Sequence, residues 1–217
     1  MPSTIPLDAP KSEGYYALGR EEVIAHLPRP AGRVLDVGCG EGGAAAPLRA
    51  VGATWISGIE LLPEPAERAG KVYDEVLCGD ALEQVADASG PFDTVLCYDV
   101  LEHLYDPHAL VRALLDVTAP GGSLHVSVPN ASHVSLLRDL IVRGTFGYTP
   151  YGHRDATHLR WFTRKDIVAL VEEAGWSVSR VDPSKLWRTS RTLARLSFGR
   201  STEFFAGQWF VLARKPH

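Results

Sequence analysis

No stretch of about 18 consecutive apolar residues occurs in the 217-residue chain, which leaves no candidate for a membrane-spanning helix. The first twenty residues, MPSTIPLDAPKSEGYYALGR, place Pro, Asp and Glu where a signal peptide needs an apolar core, so a soluble, cytoplasmic protein is expected. Cysteine is scarce: Cys39, Cys78 and Cys97 are an odd number, and no CxxC or CxxH spacing surrounds them. Neither a disulfide scaffold nor a zinc module fits. Repeats and low-complexity tracts are also missing, and no GK[ST] follows a glycine-rich turn, which removes the usual phosphate-binding loop. With 45% hydrophobic residues, the chain is read as one domain, 1–217, with a substantial core.

Basic residues are scarce in the first part of the chain and acidic ones in the rest. Residues 1–137 hold 8 Lys/Arg against 19 Asp/Glu, and residues 138–217 hold 14 against 7, which together make the net −4. The basic part suits an anionic ligand or surface, although charged faces are more often simply solvated.

Short apolar runs alternate with helical patterns. RVLDVG (33–38), TWISGIE (54–60), DEVLCGD (74–80), FDTVLCYDV (92–100) and SLHVSVPN (123–130) read as strands, and 42–52, 63–70, 81–88 and 106–122 as the helices between them. Nearly continuous apolar strands separated by helices indicate a parallel sheet covered on both faces. SEGYYALGREEVIAHLP (12–28) precedes the first strand as a helix, so 1–32 forms an N-terminal helical cover whose Tyr15 and Tyr16 pack over a ligand or on the sheet. After residue 130 the rhythm changes. Residues 132–144 could be a helix, and 163–175 starts at an N-cap, Thr163, with Asp166 in its first turn and Gly175 as its stop. WSVSRVD (176–182) and FFAGQWFVLARK (204–215) then read as strands that pair antiparallel at the sheet edge.

The turn Asp36-Val37-Gly38-Cys39-Gly40-Glu41-Gly42-Gly43 joins the first strand to the first helix, where glycines let backbone approach a ligand closely. Glu60, Asp80 and Asp99 end the next three strands, so four carboxylates line the carboxyl edge of the sheet, where open sheets bind ligands. Taken singly, each acid is as well explained as a helix N-cap or loop residue; four together at one edge are not. A pyrophosphate would be repelled by Asp36, whereas an amine and a sulfonium would be attracted. The turn therefore suits S-adenosylmethionine better than NAD.

VLDVGCGEGG, SGIE, the GDA of 79–81, FDTVLCYDVLEHL, the PGG of 120–122 and SVPN resemble, in order and spacing, the successive motifs of class I S-adenosylmethionine-dependent methyltransferases over residues 33–130. The resemblance implies an α/β, Rossmann-like doubly wound seven-stranded sheet of order 3-2-1-4-5-7-6 with strand 7 antiparallel. It also implies that Asp36, Gly38, Cys39 and Gly40 surround the methionine part of S-adenosyl-L-methionine. Glu60 and Leu61 would hold the ribose, Asp80 and Ala81 would meet the adenine, and Asp99 and Val100 would lie below the sulfonium. Residues 151–163, YGHRDATHLRWFT, are similar to a segment, GxxDxTHLRxFT, of methyltransferases associated with glycosyltransferase and polysaccharide genes, with Gly152, Asp155, Thr157, His158, Leu159, Arg160, Phe162 and Thr163 matching.

The expected function is O-methylation of a small or sugar-like, glycan-linked acceptor, with 131–162 as a cap on the acceptor side. An NAD-dependent Rossmann oxidoreductase and a non-catalytic S-adenosylmethionine-binding scaffold subunit are the alternatives. His103, Asp155 and His158 are the catalytic candidates, with Asp155 and His158 orienting each other or tying the cap down. His133, Tyr151, Arg154 and Arg160 are candidates for acceptor binding, and Trp161 and Phe162 for anchoring the cap. The HxDxxH spacing of His153, Asp155 and His158 is interrupted by Arg154 and no second carboxylate cluster accompanies it, so no metal is expected. The insertion 184–203 carries Arg188, Arg191 and Arg195 on one helical face and Leu186, Leu193 and Leu196 on another. It packs on its own domain or makes a peripheral membrane contact; no nucleic acid is expected, since no RNA-binding motif accompanies the arginines.

Overall fold

A computed structural model describes residues 21–25, 27–150, 152–183 and 202–216. Tyr15, Tyr16, Tyr151 and the segment 184–200, with its arginine and leucine faces, lie outside the described residues. In chain order the elements are α1 (Glu21–Ile24), β1 (Gly32–Val37), α2 (Ala45–Ala50), β2 (Ala53–Glu60), α3 (Pro63–Ala69), β3 (Glu75–Cys78), α4 (Ala81–Gln84), β4 (Phe92–Tyr98) and α5 (Pro107–Val117). They continue with β5 (Thr118–Pro129), α6 (Val134–Arg143), α7 (Arg164–Glu173), β6 (Ser177–Pro183), α8 (Thr202–Phe205) and β7 (Gln208–Arg214). The sheet has seven strands in the order β3-β2-β1-β4-β5-β7-β6, as expected. Strands β1 to β5 pair parallel, and β7 runs antiparallel to both β5 and β6.

Alternation along the strands divides the core into two layers. Leu35 and Val37 of β1 join Leu110, Val111 and Leu114 of α5 and Ile167 and Val171 of α7, while Val34 joins Ile24, Leu27, Leu48 and Val51 on the other face. At about 25 cal/mol per Å² of apolar surface removed from water, such two-sided burial is the main stabilising contribution. It explains why the central strands read as unbroken apolar runs. Trp176 ties β6's approach to α5 through an indole N–H donated to the Val111 carbonyl at 2.8 Å.

Two elements differ from the sequence reading. Helix α5 ends at Val117, and Thr118 to Gly122 already belong to β5. Pro120 disfavours helical backbone at Ala119, and Gly121 takes a left-handed φ of 73°, so the chain turns into the sheet early. The apolar start of FFAGQWFVLARK is not strand: Phe204 and Phe205 sit in the turn α8, and β7 starts at Gln208. The fully buried Asn130 explains this, because its amide donates to the carbonyls of Glu203 and Ala206 at 2.7 and 2.8 Å. Those bonds hold the backbone in a turn. Conversely, Thr163 is the expected N-cap of α7, and the structure adds that Asp166 reciprocates by accepting the Thr163 backbone N–H.

His125 of β5 is buried beside Ser123, and burial, with a smaller contribution from Arg214, pushes its imidazole down to about 3. Between the ordinary value of 6.5 and about 3, the unfolded chain binds a proton that the folded chain refuses. Stability is therefore complete above pH 6.5 and falls as pH falls, by up to about 1.4 kcal/mol per unit from this group. Urea unfolding of His125→Asn should show a pH slope shallower by about one proton between pH 6 and roughly 4; an unchanged slope would remove His125 from the account.

Candidate functional site

Glycine and carboxylate chemistry meet where β1 turns into α2. Gly38 has a φ of 71°, and a Cβ there would stand 2.5 Å from a methyl carbon of Val100, so the turn accepts no side chain and keeps Val100 close over its backbone. Gly40 donates its N–H to one oxygen of Glu60 at 2.9 Å, and Leu62 donates to the other at 3.0 Å. The buried Glu60 thus clamps the glycine turn to the end of β2. Each carboxylate oxygen keeps a second lone pair for a hydroxyl.

Asp36 is buried and accepts a 2.6 Å bond from the Tyr73 hydroxyl. Gly58 makes room for this pair: a Cβ at that position would meet Cys39 Sγ at 2.6 Å and the Tyr73 ring at 2.9 Å. Cys39 itself is buried, and burial, with the negative charges of Asp36 and Glu60, holds its thiol well above the usual range. It lines the turn and is no nucleophile at neutral pH. Asp80 caps α4 by accepting from Leu82 N–H at 2.9 Å, and Ala81 is the first residue of that helix. The apolar side chains Leu61, Leu62 and Leu82 around it are exposed, at 63%, 42% and 41%.

Asp99 ends the row. Among the described residues it alone, apart from glycines, has a left-handed backbone, with φ 55°. Such a conformation costs roughly 1–2 kcal/mol and is tolerated best by Asp and Asn. It is held by Ser127 Oγ at 2.9 Å and Gln208 Nε2 at 2.7 Å, both donating to Oδ1. Four carboxylates, a glycine turn that admits no side chain at Gly38 and exposed apolar residues fit a ligand with a cationic head, a ribose and a flat base. That is the composition of S-adenosylmethionine.

The cap segment docks on the end of β4. Leu159 and Arg160 both donate backbone N–H to the carbonyl of Glu102, at 2.7 and 3.0 Å, and Arg160 reaches the Tyr105 carbonyl. Ala131 donates to the Phe162 carbonyl, which fixes the other side of the segment to the end of β5. The docking gathers His103, Asp155, Thr157 and His158. Thr157 donates its hydroxyl and its N–H to Asp155 Oδ1 at 2.8 and 2.9 Å, and His103 Nδ1 lies 3.1 Å from Thr157 Oγ1 and 3.2 Å from its carbonyl. With the hydroxyl proton on Asp155, the bonding pattern assigns the Nδ1 proton to His103, and Nε2 becomes its basic nitrogen. Asp155 and His158 are buried, and the rings of His103 and His158 meet edge to face at 4.8 Å.

The remaining acceptor-side candidates have other partners. Arg154 pairs with the buried Asp139, as do Arg138 and Arg143. His133 caps α6 and stacks on His153, whose Nε2 donates to the Gly207 carbonyl. Burial lowers the pKa of both imidazoles, that of His133 further through His153. His153 therefore turns away from Asp155 and His158, and the HxDxxH spacing gathers no common centre. Phe162 is buried and anchors the cap, whereas Trp161 is 39% exposed and packs on Phe146. Tyr73, Ser127 and Gln208 had no local signal in the sequence, whereas Thr157 lay in the GxxDxTHLRxFT segment without a role assigned to it. An open hollow lined by α7 and β6, including Arg164, Glu172 and Val181, contains none of these residues.

Residues 13–181 match a family described as "Methyltransferase domain". The "Ubiquinone biosynthesis O-methyltransferase" of Xanthomonas axonopodis pv. citri is 30% identical over 193 residues, covering 86% of this chain and 79% of that protein. Among solved structures, an S-adenosylmethionine-dependent methyltransferase from Archaeoglobus fulgidus superposes with a TM-score of 0.67 at 18% identity, covering 94% of this chain and 97% of that one. The [4+2]-cyclase SpnF superposes with a TM-score of 0.61 at 19% identity over 90% of this chain and 80% of its own. At such identities these two likenesses concern the fold.

Proposed function

The chain belongs to the methyltransferase-domain family and is an S-adenosylmethionine-dependent methyltransferase, and from that premise we propose that it methylates a hydroxyl oxygen of a small acceptor held beneath residues 145–163. The observation that carries this reading is the Asp155–Thr157–His103 chain at the end of β4, beside Asp99 and Val100. When bound, S-adenosylmethionine supplies an electrophilic methyl group. The residues of this chain do the rest. Asp99, oriented by Ser127 and Gln208, would hold the cationic head, and Glu60 would hold the ribose. His103 accepts the acceptor's hydroxyl proton at Nε2. Asp155 acts through Thr157 as a positioning residue. Orienting the two reactants contributes on the order of 7–11 kcal/mol, and a positioned base about 10²–10⁴-fold beyond that.

An oxygen acceptor is supported by the relatives named for O-methylation in ubiquinone biosynthesis, which put a ring hydroxyl first among candidates. Phe146, Tyr148 and Trp161, packed edge to face on the same segment, offer a flat ring a stacking surface. A panel of phenols, sugars and carboxylic acids incubated with S-adenosylmethionine, read by mass spectrometry for one added methyl group, tests the reading. Methylation of a phenol or another hydroxyl is expected. Methyl esters alone would overturn the oxygen-base assignment, and no product from any class, with S-adenosylmethionine bound, would favour a non-catalytic role.

A further inference from the structure

Glu102, His103 and His158 place one carboxylate oxygen and two imidazole nitrogens within 4.8 Å of one another. Two segments distant in sequence are brought together for this, because the Glu102 carbonyl receives both Leu159 and Arg160 N–H groups. Glu102 and His158 are 1% and 7% exposed, and His103 is partly open to solvent. From this we infer a binding site for a single divalent transition-metal ion, ligated by Glu102, His103 and His158.

The donor set decides the kind of ion. Two imidazoles with one carboxylate suit Zn²⁺, Co²⁺ or Fe²⁺, whereas Mg²⁺ and Ca²⁺ favour oxygen alone. Metal–ligand distances of about 2.0–2.2 Å require donors about 3.4 Å apart in a tetrahedral site, so rotation of the side chains by little more than about 1 Å closes the cluster. The surroundings are those of a metal-bound histidine. His103 directs Nδ1 at Thr157 Oγ1 and the Thr157 carbonyl, and Thr157 is fixed by Asp155, which orients the ring and raises the basicity of Nε2. Three protein ligands leave a fourth position toward the open side of His103.

The consequence concerns regulation of the proposed reaction and rests on its assignment of the base. One nitrogen cannot hold an ion and accept the acceptor's proton at once. A filled site therefore withdraws His103 from catalysis, and the ion acts as a reversible inhibitor.

Titration of Co²⁺ into the chelator-stripped, full-length chain, without S-adenosylmethionine or acceptor, tests the site apart from the reaction. The expected result is saturation at one equivalent with the visible absorption of a low-symmetry, nitrogen-bound ion, displaced by Zn²⁺. Binding should weaken by more than tenfold in His158→Ala and in Glu102→Gln, with circular dichroism reporting that both remain folded. Thr157→Val, which keeps all three ligands, should weaken it by about 10–100-fold. Absence of one-equivalent saturation, or saturation unchanged in His158→Ala, would overturn the site. Methyl transfer that rises rather than falls as the ion is added, and falls on chelation, would overturn the inhibitory role. The metal-free assay of methyl transfer stands independently, so failure of the site and failure of the proposed function are distinguishable.

Discussion

His103→Ala is expected to lower kcat by about 10²–10⁴-fold while calorimetric affinity for S-adenosylmethionine stays unchanged. The imidazole follows β4 in a short helical turn and is oriented by Thr157, not by any residue of the glycine turn. Its removal deletes a proton acceptor and leaves the clamp at Glu60 intact. The partner Asp155 is buried and reaches His103 through the Thr157 hydroxyl. Asp155→Asn preserves an accepting oxygen and removes the charge. It should therefore lower kcat less than His103→Ala does, with KM for the acceptor nearly unchanged. A hydroxyl acceptor depends on a base far more than a carboxylate or thiolate does. An unaltered kcat in His103→Ala would thus contradict both the base and the class of acceptor.

Glu60→Ala should abolish measurable S-adenosylmethionine binding and destabilise the fold together. Its two oxygens accept the N–H groups of Gly40 and Leu62, and hydrogen bonds to a charged group contribute about 1.5–3 kcal/mol each. Water reaches the freed N–H groups in part, which gives a net loss of about 2–4 kcal/mol and, for a chain of this length, a melting temperature lower by about 5–15 °C. Glu60→Gln retains one oxygen acceptor and should lie between. If Glu60→Ala melted like the native chain, the clamp would have no energetic role. Binding of S-adenosylmethionine to a folded Glu60→Ala with native affinity would remove the ribose assignment.

The sheet was legible because its signals are local. The run RVLDVG, the glycines after it and the acids at the ends of β2, β3 and β4 each lie within one element or its turn, and a two-sided apolar strand looks the same wherever it sits in a sequence. The contacts that aim those acids are not local. Tyr73 meets Asp36 across 37 residues, Thr157 meets His103 across 54, and Gln208 meets Asp99 across 109. Nothing near Tyr73 or Gln208 in the chain marks them, since an ordinary tyrosine before β3 and a glutamine opening an edge strand carry the same local pattern without a partner. The spacing of His153, Asp155 and His158 carries no geometric information of its own. A sequence interval fixes a geometry only on a helix or strand, and the cap is a chain of turns in which His153 swings to the Gly207 carbonyl and stacks on His133. Apolar content likewise misread the stretch beginning at Phe204, where one buried amide, Asn130, holds the backbone in a turn.

The central claim is that the carboxyl edge of the sheet, from Asp36 to Asp99, receives S-adenosylmethionine. Calorimetric titration of the full-length chain with S-adenosylmethionine and, separately, with NAD measures this most directly. One equivalent of S-adenosylmethionine bound, with no heat from NAD, is the predicted result. Saturable binding of NAD with none of S-adenosylmethionine would contradict the account.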